Sequence, residues 1–377
     1  MTTPFVQFEL ERWMSVWEPR VQTNLCDSGV APVSAQELLK LSGGDLKDLG
    51  AIPLAYGIHN GSEPLREAIA RLYRGATAEH VLVTSGSAEA VFLLCWSLIR
   101  PGDRIVIPTP AYRQASGIVA SLGAEVVPLP LSMEHGWEPE PDAIRACIQP
   151  GTRLVIITNP HNPTGQVLSP DTRATLVARA AEVGAWLIVD EIYLGAELDG
   201  ATPASMWNGY ERLIVTSGFS KTYGLPGLRI GWIVGPPRVI TEAWMRHDYT
   251  VLAPNILGDY LAQHALAVRE RLQARGRETL AHNWPLLEQR LKRIAGAVGG
   301  GLHWRAPRAG GIVFIKYDHA LASEQVADRL RDGWSLLVAP GDHFGCPRHI
   351  RVGIGSATEH YPDDLDVLER GLRIVLA

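Results

Sequence analysis

Lysine is scarce in this chain. Only five of its 35 basic residues are lysine, in a protein of 377 residues. Cysteine is scarcer still: Cys26, Cys95, Cys147 and Cys346 lie far apart with no Cys-x-x-Cys pair. That spacing argues against a zinc ribbon or a disulfide framework and leaves each cysteine to serve as a small buried hydrophobe. No apolar run approaches the ~20 residues a membrane helix needs. The first 20 residues carry acids among their apolar positions and no signal-peptide core, so the cytoplasm is the expected compartment. There is no basic excess either. A formal net charge of −5 and a pI near 6.2 give no footprint for nucleic acid. Internal repeats and low-complexity segments are absent.

What is present is ordinary globular composition, 46% hydrophobic and 20% charged, at a length that favours two domains. Strand-like runs alternate with helical stretches. His80–Thr84, Arg104–Pro108, Leu154–Thr158, Trp186–Val189 and Leu213–Thr216 are largely apolar and rich in β-branched residues, as strands buried on both faces should be. An amphipathic helix is expected over 7–20, with Phe8, Trp13 and Trp17 available for one face. Ser34 caps a short helix to Leu41, and Ser62 caps another with Pro64 in its first turn. Beyond Trp232, helices are expected over 240–249, 255–275 and 278–295, with Pro285 kinking the last or marking its start. Strands follow at 310–316, 335–341 and 349–353.

Chemistry gathers at the ends of these strands. Ser85-Gly86-Ser87-Ala88 joins a strand to a helix, where free N–H groups can bind an anion; it lacks the Gly-Lys-Ser/Thr of a P-loop. Tyr112 follows a strand and can stack on a flat heteroaromatic ring. In Asn159-Pro160-His161-Asn162-Pro163-Thr164-Gly165, the prolines restrict the residues before them, so Asn162 can aim its amide into a site. Asp190-Glu191-Ile192-Tyr193 places an acid at the carboxyl end of a buried strand. Ser217-Gly218-Phe219-Ser220-Lys221 is followed eight residues later by Arg229. A lysine amine is nucleophilic only when neutral, which burial or a neighbouring cation such as Arg229 would favour. Arg229 could also clamp a phosphate through its planar fork.

In this order the motifs resemble those of the fold-type I pyridoxal phosphate enzymes, in the class I/II aminotransferase family, over about residues 50–355. The resemblance implies an α/β fold, with a mixed, mainly parallel seven-stranded sheet in the large domain and a smaller α+β domain. Residues 1–42 would form an N-terminal arm and part of the small domain, 43–275 the large domain and 276–377 the C-terminal small domain. It implies pyridoxal 5′-phosphate held by Lys221 as an internal aldimine. Gly86, Ser87, Ala88 and Arg229 would bind its phosphate, Tyr112 cover its ring, Asp190 keep its ring nitrogen protonated, and Asn162 and Tyr193 bind its 3′-oxygen. Tyr56, within a Tyr-x-x-x-x-Gly-x-x-x-Leu-Arg-Glu segment, would reach the partner's phosphate in a homodimer with shared sites. Arg351, with Gly29 and Asn162, would bind the carboxylate of a small-molecule amino acid substrate. His161 is expected to be structural.

The shared chemistry runs through an external aldimine and a quinonoid, with Lys221 as base, its pKa lowered by desolvation and cationic neighbours. Transamination of a free L-amino acid is the first expectation. The alternative is β/γ-elimination, replacement, cyclisation of a modified arginine or oxidative deamination in specialised metabolism. Ser28-Gly29-Val30 and Ser34–Leu39 resemble the capreomycidine synthase type of arginine-cyclising enzymes. Regulators that carry this fold behind a DNA-binding domain would need more chain in front. Asp27, Glu18 and His59 are the residues that could face a basic substrate.

Overall fold

The computed structural model describes residues 6–200 and 202–377. Its strands are β1 (Thr23–Asn24), β2 (Val81–Thr84), β3 (Arg104–Thr109), β4 (Glu125–Pro130), β5 (Thr152–Thr158), β6 (Trp186–Asp190), β7 (Leu213–Gly218), β8 (Gly231–Val234), β9 (Leu302–Trp304), β10 (Ile312–Tyr317), β11 (Leu336–Leu337), β12 (Ala339–Pro340) and β13 (His349–Gly353). Seven of these form one sheet in the order β2-β8-β7-β6-β5-β3-β4. Only β8 runs against its neighbours. The seven-stranded, mainly parallel sheet expected of the resemblance is therefore present.

Side-chain alternation explains why its strands read as unbroken apolar runs. Leu187, Val189, Leu213 and Val215 join one core cluster, while Trp186, Ile188 and Ile214 join a second. Alternate residues point to opposite faces, so both faces are covered and neither tolerates a polar position.

The helices are α1 (Glu9–Trp17), α2 (Ala35–Ser42), α3 (Leu46–Gly50), α4 (Glu63–Ala70), α5 (Gly86–Leu98), α6 (Gln114–Ser121), α7 (Pro141–Cys147), α8 (Pro170–Val183), α9 (Pro237–His247), α10 (Ile256–Ala267), α11 (Arg269–Ala297), α12 (Ser323–Trp334) and α13 (Tyr361–Val375). None is long and apolar enough to cross a membrane, among the described residues. Ser34 and Ser62 cap α2 and α4 through their hydroxyls, as expected. The first helix is shorter than expected, because Glu18–Arg20 tightens into a 3-10 turn at Pro19.

Three expectations on the C-terminal side are corrected: the helix limits, Pro285 as a helix start and an unbroken strand over 335–341. The chain breaks at Val268, where φ is −119° and ψ 22°, so α10 ends there and α11 begins at Arg269, inside the helix expected over 255–275. Pro285 neither starts α11 nor ends it; the helix runs through it for 29 residues. Pro285 and Ala281, whose carbonyl loses its i+4 donor, are exposed, whereas Asn283 and Leu287 are buried. The missing hydrogen bond falls on the solvent side, where water can replace it. The strand expected over 335–341 is split into β11 and β12. Cys26 and Cys95 are buried, but Cys147 and Cys346 are only partly so, against the expectation that all four would be.

A second sheet, β12-β13-β10-β9, is antiparallel, and β1 pairs with β11 beside it. Its core draws on Leu280, Leu287, Leu291 and Ile294 of α11, whereas Leu272 of the same helix packs with the large sheet. We propose that the division between the two domains falls inside α11, between Leu272 and Leu280.

Candidate active site

Register brings the site together. Thr158, Asp190 and Thr216 are paired neighbours at the carboxyl ends of β5, β6 and β7. Because β8 is antiparallel, its first residue, Gly231, lies opposite both Gly218 and Thr84. The Arg229 end of β8 and the start of α5 therefore meet at the same sheet edge that carries Asp190 and Lys221. A cavity of about 240 Å³ opens there, lined by Ser87, Ala88, Tyr112, Asn162, Asp190, Tyr193, Lys221, Arg229 and Arg351.

One end of the cavity suits an anion. Helix α5 begins at Gly86 with no side-chain cap from Ser85, so the first-turn amides of Ser87 and Ala88 have no cap to satisfy them. The guanidinium of Arg229 lies beside Gly86, where an added Cβ would sit 2.7 Å from Nη2. Gly231 lets β8 press on this turn: a Cβ there would sit 2.4 Å from the backbone nitrogen of Ser87. Behind the turn, Glu89 accepts from the Ser85 amide at 2.6 Å, and the buried His247 contacts the other oxygen of Glu89 at 3.2 Å.

The middle of the cavity holds Asp190 and Lys221. Burial pushes the Asp190 carboxyl up to about 7, against two compensating hydrogen bonds, from the Thr216 hydroxyl at 3.1 Å and the Ile192 amide. Such a carboxylate is short of a cationic partner. Lys221 Nζ lies 3.5 Å from Asp27 Oδ1. The expectation of a lowered lysine pKa is not met. Burial does disfavour the ammonium, but the Tyr193 oxygen and the Asp27 carboxylate outweigh it, and the group sits above its ordinary value. Arg351 acts in the other direction and is the smaller influence.

Arg351 is in β13, an inner strand of the second sheet, and is 1% exposed. Its Nη1 donates to Asn162 Oδ1 at 2.8 Å and its Nη2 to the Cys26 carbonyl at 2.5 Å. Its Nε is shielded from solvent and has no partner among the described residues, a buried donor left unsatisfied. Tyr193 donates to the Ser28 hydroxyl at 3.0 Å. Tyr112 donates to Glu11 at 2.7 Å and packs edge-on against Phe8.

Three expected residues stand off the cavity wall. Gly86 lies beneath Arg229. Gly29 packs behind the lysine, where a Cβ would sit 3.6 Å from Lys221 Cδ. Tyr56 is 79% exposed. His161 is buried, contacts Thr164 Oγ1 at 2.8 Å and is held neutral, burial pushing it down to about 4. Of the three residues weighed for a basic substrate, His59 faces Asp248 at 3.9 Å and Glu18 accepts from Asn24 at 3.3 Å. Only Asp27 reaches the lysine.

Sequence reasoning missed Leu10, Glu11 and Met14, which α1 brings to the cavity, and Ser28 and Thr158 beside them. Leu10 and Met14 are four apart on one helical face, a visible pattern, but nothing local says which surface that face covers.

The residues fit pyridoxal phosphate: an anion cradle at one end, a buried acid wanting a cationic nitrogen, and an amine between them. The family model for aminotransferase class I and II matches residues 50–363. Capreomycidine synthase of Streptomyces vinaceus is 31% identical over 368 residues, covering 97% of this chain and 92% of that protein. A solved pyridoxal-phosphate-dependent aminotransferase from Streptococcus suis superposes with a TM-score of 0.91 at 30% identity, over 99% of each chain. A solved pyridoxal-phosphate-dependent cyclase, OrfR, gives a TM-score of 0.88 at 31% identity over 98% of this chain and 97% of that one.

Proposed function

The chain belongs to the class I and II aminotransferase family of pyridoxal phosphate enzymes, and on that premise we propose a division of labour for the cavity, with transamination of a free L-amino acid as the reaction. The observation that carries it is the convergence of Asp190 at the end of β6, Lys221 just beyond β7 and Arg351 within β13 on one cavity that also contains a helix N-terminus. When bound, the cofactor supplies an electron sink that stabilises negative charge at the substrate Cα.

The chain's own residues do the rest. Ser87 and Ala88 amides with the Arg229 fork hold the phosphate. Asp190 keeps the ring nitrogen protonated, and that nitrogen is the cation the buried carboxylate wants. Asn162 and Tyr193 hold the 3′-oxygen, and Tyr112 covers the ring. Arg351 anchors the substrate carboxylate, and Gly29 lets the N-terminal arm approach closely. Lys221 carries the covalent attachment and moves the α-proton at its Nζ. The reading includes a homodimer in which Tyr56 completes the second subunit's phosphate site.

Cyclisation or elimination is the second reading. It is favoured by the likeness to capreomycidine synthase across 97% of the chain. One experiment separates the two: purified holoenzyme, followed by absorbance, is offered a panel of L-amino acids. Conversion of the cofactor to its amine form, reversed by a keto acid, is the expected result. With hydroxyarginine included in the panel, ammonia release, or a cyclised amino acid formed with loss of water, with the aldehyde form retained in either case, assigns the second reading. Lys221→Ala should turn over nothing in either case, and a fully active variant overturns both.

A further inference from the structure

The charges lining the cavity bear on the substrate's side chain as well as its amino group. Lys221, Arg229 and Arg351 are the cations this chain contributes to the wall. On the reading above all three are engaged, by attachment, phosphate and α-carboxylate, so none remains for a second carboxylate on the substrate. Negative charge does remain. Asp190 is taken by the ring nitrogen, but Glu11 lines the same cavity and Asp27 stands beside Lys221.

Glu11 is held in place from two sides. Its helix α1 buries Leu10 to 1% exposure, and the Trp13 indole donates to the Val338 carbonyl at 3.2 Å. The Arg331 guanidinium lies 5.1 Å from the Trp13 ring and 3.9 Å from the Trp17 ring, a cation–π clasp on the helix's outer side. Towards the cavity, Glu11 Oε1 accepts from the Tyr112 hydroxyl, and Oε2 has no partner among the described residues. Leu10 and Met14 flank it with apolar surface suited to an aliphatic stem.

We propose that Glu11 selects the substrate's side chain, and that it selects a cationic one: an L-amino acid ending in a guanidinium or ammonium group. A guanidinium would be bound with charge assistance by the carboxylate Oε2. An acidic side chain would instead meet Glu11 and Asp27 with no compensating cation from this chain. The inference rests on Arg351 binding the α-carboxylate of an amino acid substrate, as proposed above.

The test is a spectroscopic titration of the holoenzyme with L-arginine, L-citrulline, L-norleucine and L-glutamate. Citrulline keeps the length and shape of arginine and lacks only its charge. The wild type should bind arginine at least ~10-fold more tightly than citrulline, and glutamate most weakly. Glu11→Gln keeps an acceptor for Tyr112 but removes the charge, and should bring the arginine-to-citrulline ratio close to one. Equal binding of arginine and citrulline by the wild type, or an unchanged ratio in the variant, would sink the role of Glu11 while leaving the amino acid reading intact. A cofactor spectrum that none of the four amino acids perturbs would remove the underlying reading as well.

Discussion

Asp190 sits at a strand end with one hydroxyl and one amide to hold its charge, and its neighbour Glu191 is also pushed up to about 7 by burial. The consequence for stability has a definite sign. Between about pH 4 and about 7 the folded protein keeps the Asp190 proton that the unfolded chain has released, so stability falls as pH rises through that window. Asp190→Asn removes this liability and leaves Glu191 unchanged in both proteins. The cofactor-free variant should therefore exceed the cofactor-free wild type in urea resistance at pH 8, by ~2 kcal/mol once relaxation is allowed for, with the advantage vanishing below pH 4. In the same variant amino-group transfer should be lost. A variant that is less stable than the wild type at pH 8 would mean that the carboxylate is better solvated than its surroundings indicate. Neither this effect nor the raised pKa of Lys221 could be read from motifs. A motif names the lysine, but Asp27 and Tyr193 reach it from 194 and 28 positions away in the chain.

At the scale of elements, the proposed phosphate cradle is a contact between a strand and the first turn of a helix. Strand β8 approaches so closely that Gly231 has no room for a side chain: its Cβ would meet two backbone atoms of Gly86 and Ser87 at 2.4 Å. Backbone cannot swing aside as a flexible side chain can. Gly231→Ala should cost ~1–3 kcal/mol of stability and displace the Ser87 amide. Retention of pyridoxal phosphate, followed by dialysis and fluorescence, should fall by at least ~10-fold. Gly333→Ala, with nothing within 4 Å of the added carbon, is the matched control and should keep its cofactor. The strands of the large sheet were legible because burial on both faces leaves an apolar run that nothing else imitates. The break at Val268 was not, since no glycine or proline marks it; packing of α10 on α2 and α4, and of α11 on α13, decides where one helix ends. Pro285 does not mark the start of α11, for a related reason. A proline breaks a helix only when its lost hydrogen bond cannot be replaced, and here it faces water.

For the molecule as a whole, the exposed apolar residues are unevenly placed. Leu54, Tyr56 and Ile58 are 84%, 79% and 60% exposed within one loop, and Tyr249 is 82% exposed. A monomer that leaves such groups in water gains by covering them. Light scattering should give a dimer at micromolar concentration, and a monomer would count against shared sites. Whether Tyr56 acts across the interface has its own test. Lys221→Ala and Tyr56→Ala should each be impaired alone. Mixed and refolded together, they should regain activity, because one hybrid site then combines an intact Lys221 with the partner's intact Tyr56. No recovery on mixing would place Tyr56 in its own subunit's site or in none.

The order of motifs along the chain, through its resemblance to a known family, together with strands apolar on both sides, already implied the fold class, the cofactor and a set of candidate site residues, because each depends on local chemistry repeated in a set sequence. Asn162, Asp190, Lys221, Arg229 and Arg351 could be named that way, and all of them line one cavity. Tertiary structure alone decided which charges surround them. Glu11 meets Tyr112 across 101 positions, and Arg351 is held by Asn162 across 189. Electrostatics and packing act through space, and only the folded chain sets those distances.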